Sequence, residues 1–277
     1  MSEPTILVTG GTGTTGSRIT TRLRARGVDP RVASRSSACR LDWAEPGTWA
    51  PALAGARAVY LAYAPDLAVP DSDDVLAAVT RTAAAAGVRR VVLLSGRGEP
   101  GAQRAEAAVR QAAEEGGLAW TVLRCSWFVQ NFTEGQFAGE LAAGELTLPV
   151  PHVPEPFLDA EDIADVAVAA LLDDGHAGRT YELTGPRALT FDEAVAEVAA
   201  VTGRPARLRR VPFAAYAAGL TAAGVPDDVV ALMAHLFTEV LDGRNAAPTD
   251  GVQRALGRPA TDLADAVRRG ALAGSGR

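Results

Sequence analysis

The chain has 277 residues, 48% of them hydrophobic, which suffices for a sizeable core in one large domain or in a nucleotide-binding domain plus a smaller one. A formal net charge of −6 argues against a nucleic-acid-binding surface as the main role, because such surfaces need clustered cations. No apolar run could span a membrane and no secretory leader is evident, so we expect no membrane association. The two cysteines form no disulfide framework, so we expect a reducing cytoplasm as the location.

The first predicted elements are an apolar strand over residues 6–8 and a helix over 14–26, joined by the sequence GGTGTTG at residues 10–16. Gly10, Gly13 and Gly16 suit a dinucleotide pyrophosphate, which needs a tight turn, close approach to bare backbone and close packing of helix on strand. The backbone N–H groups of Thr14, Thr15 and Gly16, with the positive end of the helix dipole, would hold the anion. The alternative is an ordinary glycine-rich turn without a ligand.

Strands and helices then alternate through the first half of the chain. Strands are predicted at residues 30–34, near 39–41, and at 58–62, 91–94 and 118–123, with helices at 46–53, 75–86 and 102–115. Short apolar strands alternating with amphipathic helices specify a parallel sheet with helices on both faces. We therefore predict an α/β fold with a Rossmann-type, doubly wound parallel sheet.

The pattern changes after about residue 145, where a proline-rich stretch covers residues 149–156. Helices are predicted at 161–172 and 191–201 and strands at 181–184 and 208–211, with the remainder helical. We interpret residues 1–150 as an NAD(P)-binding domain. Residues 151–277 are interpreted as a smaller, mostly helical substrate-binding lobe, not an independent domain, that closes over the cofactor.

The end of the second predicted strand bears on the choice of nucleotide. NAD-selective sites usually place an acidic residue there to accept hydrogen bonds from the adenosine ribose. This chain has Ser34 and Arg35 instead, and a guanidinium suits a phosphate while neighbouring hydroxyls add donors. We therefore predict NADPH as the cofactor. The alternative is that Arg35 is a solvated surface residue.

Several short motifs together resemble the NmrA-like group of atypical short-chain dehydrogenases/reductases, and within it the branch of the ergot-alkaloid festuclavine dehydrogenases. They are GGTGTTG at 10–16, VASRS at 32–36, LDW at 41–43, TW at 48–49, AVYL at 58–61, TVLR at 121–124, WF at 127–128, NF at 131–132 and LTGP at 183–186. The match covers most of the chain and is strongest up to about residue 200. The motif set is specific for the branch but weak for the substrate.

The resemblance implies a role for particular residues. The pyrophosphate would be held by Gly10, Thr12, Gly13, Thr14 and Thr15, the 2′-phosphate by Arg35 and the adenine by Asp42. The adenosine ribose would be lined by Ala62, Tyr63 and Ala64, and the nicotinamide side by Ser95 and residues 125–128, with Trp127, Phe128, Asn131 and Phe132 facing substrate. Cys125 stands where relatives usually carry proline, and the loop 96–101 is unusually glycine-rich, so the substrate is not inherited from any relative.

All 27 basic residues are arginine, and the chain contains no lysine. A Schiff-base lysine, or the lysine that lowers the pKa of a catalytic tyrosine, is therefore absent. Hydride delivery to a carbonyl would leave an unpartnered oxyanion, whereas an iminium ion yields a neutral amine and a quinone can take its proton from water. The two cysteines, Cys39 and Cys125, lack metal-ligand spacing, so we expect neither a metal site nor a disulfide framework.

Few residues remain as candidate proton donors. Tyr63 follows a sheet strand at the end where ligands dock, and Ser95 follows another; both are also explained as residues with local structural hydrogen bonds. His152 is the one histidine that we expect near the pocket. Trp127 and Phe132 either stack on flat ligands or belong to the core.

These observations favour an NADPH-dependent reductase acting on an iminium, enone or quinone-like small molecule, in secondary metabolism. One alternative is a regulator that senses NADP without turnover, and another is a non-redox member such as a cyclase or isomerase. The expected state is a monomer or homodimer with a small-molecule substrate and no nucleic-acid partner.

Overall fold

A computed structural model describes the backbone of residues 5–274 and the side chains of residues 5–270. The strands are β1 (Thr5–Thr9), β2 (Arg31–Ser34), β3 (Cys39–Arg40), β4 (Ala56–Leu61), β5 (Arg90–Gly96), β6 (Ala119–Cys125), β7 (Glu145–Leu148), β8 (Arg179–Leu183) and β9 (Arg207–Arg210). The helices of the first half are α1 (Thr14–Ala25), α2 (Trp49–Leu53), α3 (Ser72–Ala85), α4 (Pro100–Glu115), α5 (Gln130–Thr133) and α6 (Ala138–Ala142). Those of the second half are α7 (Ala160–Leu172), α8 (Phe191–Thr202), α9 (Phe213–Ala222), α10 (Asp227–His235), α11 (Gly251–Leu256) and α12 (Leu263–Gly274), with a π-helical turn at Leu236–Val240.

Seven strands form one parallel sheet in the order β3-β2-β1-β4-β5-β6-β8. The interior strands are apolar because helices cover both faces; in β4, every residue from Ala58 to Leu61 is buried. The strand order reverses between β1 and β4, which makes the carboxyl ends of these two strands the topological switch point of the sheet. The predicted Rossmann-type doubly wound fold is confirmed.

The contacts divide the chain into two compact units. The first comprises the residues up to Cys125, Ala160–Leu183 and Asp250–Arg258, and it holds the entire seven-stranded sheet. The second comprises Ser126–Asp159, Thr184–Thr249 and the chain from Pro259 onwards. It contains a two-stranded parallel sheet of β7 and β9, of which β7 was not predicted. Within residues 5–274, no helix combines the length and the apolar character that a bilayer crossing needs.

This division differs from the expected boundary between residues 150 and 151. β8 pairs in parallel with β6, from Thr121 opposite Arg179 to Cys125 opposite Leu183, so the segment around it belongs to the first unit. Residues 126–150 belong to the second unit, where β7 pairs with β9. A boundary inferred from the order of the elements misses such long-range pairing.

The core of the second unit contains a cluster of aromatic side chains. Phe132, Phe137, Phe157 and Phe191 contact one another with ring centroids between 5.1 and 6.4 Å apart. The core of the first unit is instead built mainly from aliphatic side chains of the sheet and its helices. The second unit thus has the more aromatic core.

The packing of α1 against the end of β1 gives a stability prediction. A Cβ added at Gly16 would lie 2.3 Å from the carbonyl oxygen of Gly10, and that backbone cannot yield without moving the turn. We expect Gly16→Ala to lower the free energy of unfolding by about 1–3 kcal/mol, as overpacking does. Gly139→Ala in α6 is the control, because nothing lies within 4 Å of its added Cβ. Chemical denaturation measures both; equal stability of the two variants would contradict the prediction.

Candidate functional site

The glycine-rich turn after β1 is built from close backbone contacts. Gly10 has a φ of +61°, a left-handed conformation that favours glycine. Its N–H donates to the carbonyl oxygen of Ala33 in β2 at 3.0 Å, and the N–H of Gly13 donates to the Gly10 carbonyl at 2.9 Å. These bonds and the Gly16 contact fix where α1 begins.

The first turn of α1 fits a bound anion. Gly13 is the N-cap residue, no side chain caps the helix, and its first turn contains no acidic residue. The first N–H groups of a helix have no partner within the helix, so here the chain leaves both those donors and the positive end of the dipole uncompensated. Thr12 and Gly13 are exposed, and the added Cβ of Gly13 would meet only the Gly10 oxygen within 4 Å, at 3.3 Å. A dinucleotide pyrophosphate would be held by the amides that follow Gly13.

Thr15 has a structural role through its hydroxyl. Its side chain is buried, and its Oγ1 accepts a hydrogen bond from the Tyr60 hydroxyl at 3.0 Å. Burial raises the pKa of Tyr60, which therefore stays protonated and keeps donating. A second hydroxyl links β1 to the residue after β4: the Thr9 Oγ1 accepts a hydrogen bond from the N–H of Ala62 at 2.8 Å. The predicted phosphate contact of Thr15 is therefore assigned to its backbone N–H, in the first turn of α1.

The residues after β2 form a closed serine turn. The Ser34 Oγ accepts from the Ser37 N–H at 3.0 Å, while the Ser34 N–H donates to the Ser37 Oγ at 2.8 Å. Arg35 lies between them and is exposed, and no described residue forms a hydrogen bond or an ion pair with its guanidinium. Ser34 thus shapes the turn, and Arg35 presents an uncompensated cation.

Asp42 follows β3 in an ordered turn. Its Oδ1 accepts from the Ala44 N–H at 3.1 Å, Arg40 lies 3.5 Å from its Oδ2, and its carbonyl oxygen accepts from the Trp49 indole at 2.7 Å. These contacts hold the carboxylate in place while leaving it partly exposed. Its contact with adenine stays a prediction.

Tyr63 is held by an aromatic contact. Its ring lies 5.1 Å from that of Trp43 at an interplanar angle of 44°. Burial, with a smaller contribution from the negative charge of Asp71, raises the pKa of Tyr63. Short-chain reductases that use a catalytic tyrosine need the opposite shift, so Tyr63 fits a neutral hydrogen-bonding group.

Ser95 belongs to a buried ionic network. Its Oγ donates to Glu106 Oε1 at 2.6 Å, and Glu106 also accepts from Arg124 Nε and Nη2 at 3.0 and 2.6 Å. Arg124 Nη1 in turn donates to Glu182 at 2.8 Å. Because the Ser95 proton is engaged with Glu106, a donor role toward substrate would require this bond to break.

Cys125 ends β6 as a buried thiol. Burial raises the pKa of Cys125, which therefore remains a thiol and is no nucleophile at neutral pH. Its carbonyl oxygen accepts from the Arg97 N–H at 3.0 Å. The expected contact with the nicotinamide stays a prediction.

The first unit brings most of the predicted cofactor residues to one edge. Gly10, Ser34, Ala62, Ser95 and Cys125 lie at the carboxyl ends of β1, β2, β4, β5 and β6, and parallel neighbouring strands end on the same side. Gly96 is opposite Cys125 in the register of β5 and β6. The added Cβ of Gly10 would lie 3.7 Å from the Cβ of Ala62. The sheet therefore places the glycine turn, the serine turn and the strand ends along its carboxyl edge.

The predicted substrate residues lie in the second unit with different exposures. Phe132 is 2% exposed within the aromatic core, which favours the core interpretation. Trp127 is half-buried and stacks on Phe237 at 5.6 Å. His152 is exposed at the surface, with its Nδ1 3.9 Å from an Asp192 oxygen.

Phe128 and Asn131 are half-buried beside this core. Phe128 forms an isolated parallel bridge with Leu158, and its carbonyl oxygen accepts from the Asn131 N–H at 3.1 Å. These backbone bonds position both residues. Their contact with substrate stays a prediction.

Sequence reasoning missed one ionisable residue at this edge. Glu99, in the loop after β5, is 6% exposed. Burial, and then the charge and hydrogen bond of Asp66, raise the pKa of Glu99 to about 8. Since this value exceeds the ordinary value of 4.5, protonated Glu99 stabilises the fold at low pH, and that contribution is lost as the pH rises through about 8. The sequence signal that could have identified Glu99 is an acidic residue directly before Pro100 in a glycine-rich loop.

The chain matches a known protein family and several characterised relatives. Residues 10–174, which include the glycine turn and most of the sheet, match the family described as NAD(P)H-binding. The NAD(P)H azoreductase of Xenophilus azovorans is 30% identical, covering 97% of this chain and 98% of that protein. The (4-alkanoyl-5-oxo-2,5-dihydrofuran-3-yl)methyl phosphate reductase of Streptomyces griseus is 34% identical, covering 94% of this chain and 95% of that protein.

The predicted family is confirmed by a third relative. Agroclavine dehydrogenase of Claviceps fusiformis is 31% identical, covering 95% of this chain and 96% of that protein. The fold matches the triphenylmethane reductase of Citrobacter sp. with a TM-score of 0.77 and 20% identity, over 96% of this chain and 99% of that chain. The chain therefore belongs to the NAD(P)H-binding, NmrA-like group of atypical short-chain dehydrogenases/reductases, and it is an NAD(P)H-dependent oxidoreductase.

Proposed function

We propose that the protein is an NADPH-dependent reductase that transfers hydride to a conjugated small molecule of the iminium, enone or quinone type. The observation that carries this proposal is the uncapped N-terminus of α1 at the switch point of the sheet, together with the Arg35 guanidinium at the end of the neighbouring strand, which has no partner among residues 5–270. The first binds the pyrophosphate, and the second recognises the phosphate that distinguishes NADPH from NADH.

The acceptor class follows from the groups around the strand ends. Tyr63 has a raised pKa and no lysine accompanies it, and Ser95 donates to Glu106. Neither is prepared to protonate a nascent alkoxide. An iminium ion needs no proton after hydride transfer, while an enone or quinone spreads the developing charge over a conjugated system that water can protonate.

The names of the relatives are consistent with this class. One relative is named for azo compounds, and another for a dihydrofuranone in which a ring double bond is conjugated with two carbonyl groups. Both are planar, conjugated acceptors. In this chain, half-buried Trp127 and Phe128 would supply flat aromatic faces suited to such molecules. The main task of the protein would then be to position the flat acceptor for hydride transfer.

Nucleotide preference is tested at Arg35. We expect Arg35→Ala to weaken NADPH binding about 10- to 100-fold, since a charge-assisted hydrogen bond contributes about 1.5–3 kcal/mol, and to change NADH binding less than about twofold. Fluorescence titration measures both dissociation constants. Arg81→Ala, an exposed arginine on α3, is the control and should change neither. Equal losses for the two nucleotides in Arg35→Ala would exclude the 2′-phosphate role.

The anion site is tested by a substitution that separates binding from stability. Gly13→Asp places a favourable N-cap residue on α1, because Gly13 has an extended backbone that any residue adopts. We expect an unchanged or higher Tm, together with NADPH binding weakened by about tenfold or more through repulsion of the pyrophosphate. Gly13→Asn, a neutral side chain of the same size, should weaken binding less. Wild-type affinity in Gly13→Asp would show that the pyrophosphate binds elsewhere.

The acceptor class is tested with a panel of cyclic imines, enones and quinones. We expect NADPH absorbance to fall with at least one class, and deuterium from [4-²H]NADPH to appear on carbon of a reduced imine or enone. Tight NADPH binding without NADPH oxidation by any compound of the panel would instead favour a regulator that senses NADP. Absence of nucleotide binding would favour a non-redox function.

A further inference from the structure

Glu99 has an unusual place at the edge of the sheet. It is the N-cap residue of α4, yet its side chain does not cap that helix. Instead the carboxyl group lies over the end of β5, since a Cβ added at Gly96 would be 1.9 Å from Glu99 Oε1. The side chain is therefore folded inward from the loop rather than directed along the helix.

One oxygen of this carboxyl group requires explanation. Glu99 Oε2 is buried, and no donor among the described residues forms a hydrogen bond with it. A carboxylate accepts hydrogen bonds only, so an ionised Glu99 would leave a buried charge unsatisfied at high cost. A protonated carboxyl group can instead donate, and Asp66 is its hydrogen-bond partner.

Glu99 is the member of this pair whose surroundings favour the protonated form. Asp66 is less buried, and its Oδ1 accepts a hydrogen bond from the N–H of Ala68 at 2.7 Å. Glu99 is the more buried member, and both burial and the Asp66 charge raise its pKa, to about 8.

The other charged groups nearby act on different partners. Asp71, on the same loop as Asp66, acts on Tyr63. On the Glu99 side, Arg97 pairs with Glu182 at 3.4 Å. Asp66 is thus the charge that sets the behaviour of Glu99.

The pair connects two loops that the cofactor prediction depends on. The loop after β4 carries Ala62 and Tyr63 and continues to Asp66; the loop after β5 ends at Glu99. The first turn of α4, directly after Glu99, is in close contact with the segment that follows Asp66, because a Cβ added at Gly101 would lie 2.7 Å from the Cα of Ala68. The hydrogen bond between Glu99 and Asp66 adds a polar contact between the same two parts of the chain. Ionisation of Glu99 would replace it with repulsion between two negative charges.

We propose that Glu99 is a positioning residue for the cofactor: protonated and hydrogen-bonded to Asp66, it holds the loop that carries Tyr63 against the β5–α4 loop, and its ionisation releases that loop. The proposal rests on the proposed NADPH function. It concerns how the ribose-binding loop is ordered, and Glu99 itself need not touch the ligand.

The direct test is the pH dependence of NADPH binding between pH 6 and 10. The 2′-phosphate is fully ionised over the upper part of this range, so it adds no titration near pH 8. We expect the dissociation constant of the wild-type protein to rise about fivefold or more through one ionisation near pH 8. Glu99→Gln keeps a hydrogen-bond donor and cannot ionise, so its affinity should stay constant. Glu115→Gln, an exposed residue at the end of α4, should retain the wild-type profile.

A readout without nucleotide makes the test independent of activity. Carboxyl ¹³C NMR of the glutamate-labelled wild-type protein should show one resonance titrating near pH 8 that is missing from Glu99→Gln. Trp43 contacts Tyr63, so its fluorescence should report on the position of the loop that carries Tyr63. The emission of Trp43, obtained by subtracting the spectrum of Trp43→Phe from that of the wild type, should change over the same pH range. These measurements on the wild-type chain keep the proposal testable even if Glu99→Gln folds poorly.

The outcomes separate this inference from the proposed function. NADPH binding that is independent of pH, or a Glu99 resonance that titrates near the ordinary value, would overturn the inference alone. Wild-type-like pH dependence in Glu99→Gln would do the same. No NADPH binding at any pH would overturn the proposed function and, with it, the cofactor role of Glu99.

Discussion

The close approach of α1 to the end of β1 is the constraint on which the rest of the first unit depends. It brings a glycine of the helix so near to the Gly10 carbonyl that no side chain fits, and it leaves the first amides of the helix facing outward. The Tyr60–Thr15 hydrogen bond fastens the same helix to β4, on the other side of the switch point. The proposed anion site thus lies where helix and turn pack closely, because bare backbone permits both the packing and the approach of a ligand.

Charge is arranged differently at the two ends of the expected cofactor position. Around the serine turn, Arg35 has no partner among the described residues, whereas Arg124 deeper along the edge is surrounded by Glu106 and Glu182. An unpaired cation is available to a ligand, while a paired one stabilises the fold and is costly to disturb. Under the proposed function, the same residue type would serve recognition at one strand end, whereas at another it stabilises the fold.

The sequence was sufficient for features that depend on local pattern. The glycine turn and the strands around it were predicted, because glycine spacing and apolar runs reflect neighbours close along the chain. The family was predicted from the resemblance of several short motifs. β7 and the assignment of β8 to the main sheet were not, since their partners are distant in sequence. The burial of Phe132 and the pairing of Glu99 with Asp66 likewise depend on which loops meet in space. Side-chain roles that follow from such meetings are beyond a single sequence.

The way the chain passes between the two units has a consequence for handling the protein. A fragment ending at residue 150 looks like a complete nucleotide-binding domain by element order, but it would lack β8 and α7. β6 would then become an unprotected sheet border with free backbone donors and acceptors, a surface prone to intermolecular strand pairing. Recombinant work on the nucleotide-binding half should therefore retain the full polypeptide, because the half that folds around the sheet is not contiguous in the gene.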